Sequence, residues 1–222
     1  MAPRDGQLLT IALGDDPAAW SAAGFCVEGA SLTLGSTTLV LLGTGGGFAG
    51  WALAGVDDPI DGLPCVDPVP PSVGPTHLNG ITSIDHVVVR TGDCDRTIEA
   101  FTAAGFAVRG GRSTTSYGAP LRQTFFWAGD VILELVGPAE PRGDGPSRIF
   151  GLALVSTDLD ATAAQLVQPH GVHAEVPDGV DGVLLDRAVP DPPDPHGAVG
   201  RHLVEALVTA EHERRRAALG QH

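Results

Sequence analysis

The chain has 222 residues, 43% of them hydrophobic, and a formal net charge of −14. That length suits one large domain or two small ones with a proper core, and the acidity argues against nucleic acid and anionic membrane surfaces as partners, which need clustered cations. No apolar run reaches the length of a membrane span. The opening Met-Ala-Pro-Arg-Asp-Gly reads as no secretory signal, and three scattered cysteines without a CxxC pair read as reduced thiols of a cytoplasm. All 13 basic residues are arginine, a usage typical of GC-rich bacterial genomes.

In chain order, Leu8–Leu13 reads as a strand, and Asp15-Asp-Pro-Ala-Ala-Trp20 as a helix start with Pro17 in its first turn. Gly24 stands where a left-handed residue ends that helix. Gly35–Gly43 and Phe48–Leu53 follow as strand material. Gly45-Gly-Gly47 invites a phosphate-loop reading, but no Lys-Ser/Thr follows, so that reading is rejected. Asp57–Gly80, with six prolines, reads as an extended linker.

The pattern then repeats. Ile84–Val89 is a strand and Asp93–Phe101 a helix that Gly105 ends, while Gly129–Gly137 closes the unit as Gly35–Gly43 does earlier. Ala22-Ala-Gly-Phe25 matches Ala103-Ala-Gly-Phe106. A third copy has Ile149–Val155 as strand, Thr157–Val167 as helix, and Arg201–Val208 as last strand. The expected organisation is a degenerate unit over 1–56, a linker over 57–80, paired units over 81–140 and 147–210, and a charged tail over 211–222. From about Asp186 the chain departs from the pattern.

Two polar side chains interrupt apolar strands, His86 and Glu134. A histidine and a carboxylate on two strands of one sheet make half a metal site; the plainer reading is a satisfied core histidine and a glutamate on a wetter face. Asp85 is expected on the opposite face from His86 because strand side chains alternate. His170 and His173 flank a predicted helix end and read as loop residues. No nucleophile elbow or Cys–His grouping is present.

Ser83-Ile-Asp-His-Val-Val-Val-Arg90, the Asp-led helix ending in Ala-Ala-Gly-Phe, and Asp130-Val-Ile-Leu-Glu-Leu-Val-Gly137 resemble the vicinal oxygen chelate superfamily of glyoxalases, extradiol dioxygenases and bleomycin- or fosfomycin-resistance proteins, and most of all actinobacterial glyoxalase-like domain proteins. The resemblance implies an α+β fold of repeated βαβββ units forming cupped mixed sheets. It further implies a divalent metal (zinc, nickel, manganese or iron) held by first- and fourth-strand residues, polarising a small oxygenated substrate in lyase or isomerase chemistry. His86 and Glu134 match the ligand positions of one unit. Glu205 is aligned with the fourth-strand position of the partner unit, and Leu152 with its first-strand position, where leucine binds nothing. Glu134 or Glu205 is the expected base, and Tyr117, Arg122 and Trp127 are the expected pocket lining. The alternative is a metal-free protein that binds a drug-like small molecule, as resistance members do. A spare sheet edge leaves room for a homodimer.

Overall fold

A computed structural model describes residues 6–72, 76–115, 120–167, 172–175, 182–187 and 205–209, those beyond 165 as backbone only. Tyr117 and His170 lie outside the described residues. The fold is α+β, with three helices and two mixed sheets among the described residues.

The first unit runs β1 (Leu8–Leu13), α1 (Pro17–Ala22), β2 (Ser31–Leu34), β3 (Thr37–Leu41) and β4 (Phe48–Leu53). The Asp16 carboxylate accepts the Ala18 N–H at 2.9 Å and Pro17 opens the helix, as the sequence predicts. Gly24 ends it at φ +84°. The sheet order is β2-β3-β1-β4, with β1 and β3 parallel and β4 antiparallel to β1. The outer edge of β4 is taken by backbone of the following segment: Trp51 N–H donates to Pro64 O at 3.1 Å and Val66 N–H to Trp51 O at 2.9 Å. Among its described residues the proline-rich stretch thus forms neither helix nor named strand, yet it covers an edge that would otherwise present unpaired backbone groups.

The second unit is β5 (Ile81–Arg90), α2 (Cys94–Ala103), β6 (Gly110–Thr114), β7 (Leu121–Ala128) and β8 (Val131–Pro138); the third is β9 (Arg148–Ser156), α3 (Leu159–Val167), β10 (Val172–Glu175), β11 (Gly182–Arg187) and β12 (Glu205–Thr209). Together they form one sheet of order β10-β11-β12-β9-β5-β8-β7-β6. In each unit the first and last strands are parallel, and the two units join through antiparallel β5 and β9. In the N-terminal sheet, β4 holds the place on β1 that β9 holds on β5, so that unit's pairing edge is filled by its own strand.

One face of the eight-stranded sheet carries the core. Val87, Val89, Phe126, Leu133 and Leu135 pack with Phe101 and Phe106, and with Leu8, Ile11 and Trp51 of the N-terminal sheet, in one cluster. Trp51 meets the Phe101 ring edge-on at 6.1 Å, and Phe101 stacks on Phe126 at 5.1 Å. Each such side chain contributes roughly 1.5–3 kcal/mol by leaving water, which is what docks the N-terminal sheet against α2. The opposite, open face carries the residues of interest.

The β5–β9 register corrects the alignment of the two units. Val87 pairs with Leu152, flanked by His86↔Ala153 and Val88↔Gly151; beyond these, Asp85 is an extra residue on one side and Phe150 on the other. Ile84↔Leu154 and Val89↔Ile149 then follow symmetrically. The local twofold therefore passes through Val87 and Leu152. Leu152, fully buried in the core cluster, is the counterpart of Val87, and the counterpart of His86 is Gly151. The apolar pattern of Ile149–Val155 admits either offset and only the cross-strand pairing fixes it; the bulges, at the equivalent positions Asp85 and Phe150, add one residue to each strand and cancel.

Candidate metal and ligand site

His86 and Glu134 stand on adjacent parallel strands, β5 and β8, and both are buried. His86 Nε2 lies 3.2 Å from Glu134 Oε2. On its other side the imidazole is held at Nδ1 by Asp85 Oδ2 at 2.8 Å. Asp85 was expected to face away. The bulge at Asp85 breaks the strand's alternation and brings its carboxylate beside its neighbour's ring. Glu134 Oε1 accepts from Gln123 Nε2 at 2.5 Å, and Gln123 Oε1 in turn accepts from Arg112 Nε. Asp85, His86, Glu134, Gln123 and Arg112 thus form a connected polar chain, leaving neither His86 nor Glu134 to bear the cost of an unpaired buried group.

Gln123, Arg112 and Asp85 were missed as site residues. Gln123 carried a usable signal: it is two residues before Phe125, which pairs directly with Glu134, so it shares that face. Trp127 pairs with Ile132 on the same face and stands in the row of His86. Arg122 does not join them. It alternates with Gln123, and its Nη1 donates to Asp95 on α2 at 2.6 Å. Glu205 begins β12 opposite Gly151, in the same row across the sheet as Glu134, with Val88 and Gly151 between them. Three inter-strand steps of about 4.8 Å separate the two backbones. By the local twofold the counterpart of Glu134 is Leu207, and Glu205 takes the place of Ile132. His173 lies on β10, four strands from β5.

The donors fit a divalent cation. Two ligand atoms 3.2 Å apart match bonds of about 2.0–2.1 Å meeting at roughly 100°. A carboxylate on the second imidazole nitrogen is the usual support of a metal-binding histidine. Among the described residues, no group of three His, Cys, Asp or Glu side chains converges as a metal-binding cluster. A hollow of about 180 Å³ lies elsewhere, by Gly35 and Ser83, and one of about 470 Å³ runs along β6 and β7, where Arg112 and Gln123 of the polar chain line it with Ile98 and Ser113.

The fold has solved counterparts. A mutant of 4-hydroxymandelate synthase from Streptomyces coelicolor superposes with TM-score 0.54 at 16% identity, over 77% of this chain and 77% of that one. This is the vicinal oxygen chelate fold. A xylose isomerase-like TIM barrel/4-hydroxyphenylpyruvate dioxygenase fusion protein matches with TM-score 0.51 at 14% identity, over 78% of this chain and 40% of the longer one. No family model matches the sequence, and no curated protein matches it. In vicinal oxygen chelate terms, β5–β8 and β9–β12 are the paired units, and the polar chain occupies the open face of the first. No helix among the described residues is long and apolar enough to cross a membrane.

Proposed function

We propose that the protein binds a small oxygenated molecule on the open face over His86 and Glu134, as a glyoxalase-like lyase or isomerase dependent on a divalent cation. The observation that carries this reading is the buried contact of His86 Nε2 with Glu134 Oε2, with Asp85 fixing the far side of the ring. His86 and Glu134 would hold the cation, and Glu205, in the row of Glu134 on the partner unit, would be the candidate third ligand. The cation, when bound, supplies Lewis-acid polarisation of the substrate's oxygens. Glu134 serves as the base that takes a proton beside them, with Glu205 as its alternate, and Gln123 keeps the Glu134 carboxylate turned toward His86. Trp127 and Phe125 give the apolar wall that such pockets need.

A second reading is supported by the register, which makes Gly151 and Leu207 the counterparts of the two donors of the first unit: a metal-free protein that sequesters a small molecule. One experiment separates the two. Metal content is measured by mass spectrometry on protein made in metal-replete medium without chelators, for the wild type, His86→Ala, Glu134→Gln and Glu205→Gln. Near-stoichiometric zinc, nickel, manganese or iron, lost on substitution of His86, supports the metal-dependent reading. Metal-free wild type sinks it and leaves the sequestering role.

A further inference from the structure

Beyond the donors, the open face carries a row of arginines. Across the sheet, Arg112, Gln123, Val136, Arg90 and Arg148 occupy β6, β7, β8, β5 and β9 at one level. Arg90 and Arg148 are directly opposite each other on an antiparallel pair, and all three arginines are exposed. Like charges so placed repel and destabilise a sheet. Nothing among the described residues neutralises them, for the ion pairs formed by arginines there are those of Arg96 and Arg122. This is unexpected in a chain with 27 acidic residues against 13 basic ones. Two of the three are instead braced by an aromatic ring: Arg90 over Phe150 at 5.0 Å, Arg112 over Phe125 at 5.8 Å. Cation–π contact holds a guanidinium in place without consuming its charge or its hydrogen-bond donors.

We infer that this row is the anchor for an anionic group, a carboxylate or a phosphate, on the molecule that the site binds. The inference rests on the open-face site proposed above and adds its ligand class. Arg90 and Arg148 offer two planar forks to one anion, the geometry best suited to both groups. Arg90 is four residues along β5 from His86, and Glu134 is in the row between them, so reacting oxygens at the donors and an anion at the arginines are spaced by about 7–13 Å. The bound anion cancels the repulsion between Arg90 and Arg148, so binding and local stability rise together. Arg112, through Gln123, also ties the anchor to the Glu134 carboxylate.

The test titrates full-length protein with inorganic phosphate, observed by phosphorus NMR, and separately with acetate, observed by carbon NMR. Variants are Arg90→Gln, Arg148→Gln, His86→Ala and, as an exposed arginine outside the row, Arg142→Gln. Saturable binding of either anion, weakened at least about tenfold in Arg90→Gln and in Arg148→Gln but kept in Arg142→Gln and His86→Ala, is the expected result. The preferred anion distinguishes a phosphate from a carboxylate ligand. No saturable binding to the wild type, equal weakening in Arg142→Gln, or loss in His86→Ala with retention in the two row variants overturns the inference. Metal content decides the donor site independently, so the two readings fail separately.

Discussion

Asp61 offers the sharpest quantitative test of how the N-terminal sheet is fastened to the rest. Its carboxylate, on the segment after β4, accepts from Arg96 Nε at 2.8 Å, Arg96 Nη2 at 3.2 Å, Thr97 Oγ1 at 2.5 Å and Ser147 Oγ at 2.6 Å. It thereby joins that segment to α2 and to the loop before β9. Burial alone raises the carboxyl's pKa, but the hydrogen bonds from Arg96, Ser147 and Thr97 outweigh it and hold the group below the ordinary carboxylate range. Asp61→Asn is the clean perturbation, because residue 61 has φ +47° and asparagine tolerates that conformation as aspartate does. The variant loses a charge-assisted cluster and gains an amide N–H₂ facing donors, a loss of about 2–3 kcal/mol. For a chain of this size that is a drop in Tm of roughly 4–12 °C. A carboxyl whose folded pKa is depressed stabilises fully above the unfolded value, near 3.9, and stops doing so as pH falls through the folded value. In urea titrations the gap between wild type and variant therefore stays constant from pH 7 to about pH 4 and narrows only below. A gap under about 0.5 kcal/mol at pH 7, or one already closed at pH 5, refutes the reasoning.

Three further outcomes follow from the geometry. Leu152→His places an imidazole in the core beside Val87 and destabilises by about 2–5 kcal/mol in denaturant titration, whereas Gly151→His puts it on the open face and strengthens zinc binding in a competition assay with a chromogenic chelator; equal effects of the two would refute the register. Asp85→Asn weakens metal affinity about 10- to 100-fold in that assay. Gly137→Ala drives a Cβ to 2.6 Å from Cys94 Sγ and 3.0 Å from Thr91 O, and thermal unfolding should show a loss of about 1–3 kcal/mol.

Much of the fold was legible in the sequence because its signals are local. Asp16 and Asp93 cap the helices they precede, Gly24 and Gly105 end them with positive φ, and β1 and β4 begin and end where their apolar runs do. His86 and Glu134 stood out as polar residues in apolar strands, and the fold sets them side by side. What stayed hidden depends on pairing between distant strands. The bulges at Asp85 and Phe150 exist only relative to the opposite strand, so neither the Asp85–His86 bond nor the shift from Leu152 to Gly151 can be read along one segment. Arg122 and Trp127 are expected in the pocket together from the strand they share, but five residues apart they lie on opposite faces, and the bond of Arg122 to Asp95 on α2 puts Arg122 on the covered one. The arginine row, drawn from strands far apart in sequence, appears only once the register is known.

The polar chain from Asp85 to Glu134 is confined to one unit, between Ile81 and Pro138. Every hydrogen bond of that chain is thus made between residues of one unit, and β10 and β11 stand at the far edge of the sheet, beyond β12 and β9. Substitutions along β10 and β11 therefore leave the hydrogen bonds between Asp85, His86, Glu134, Gln123 and Arg112 in place.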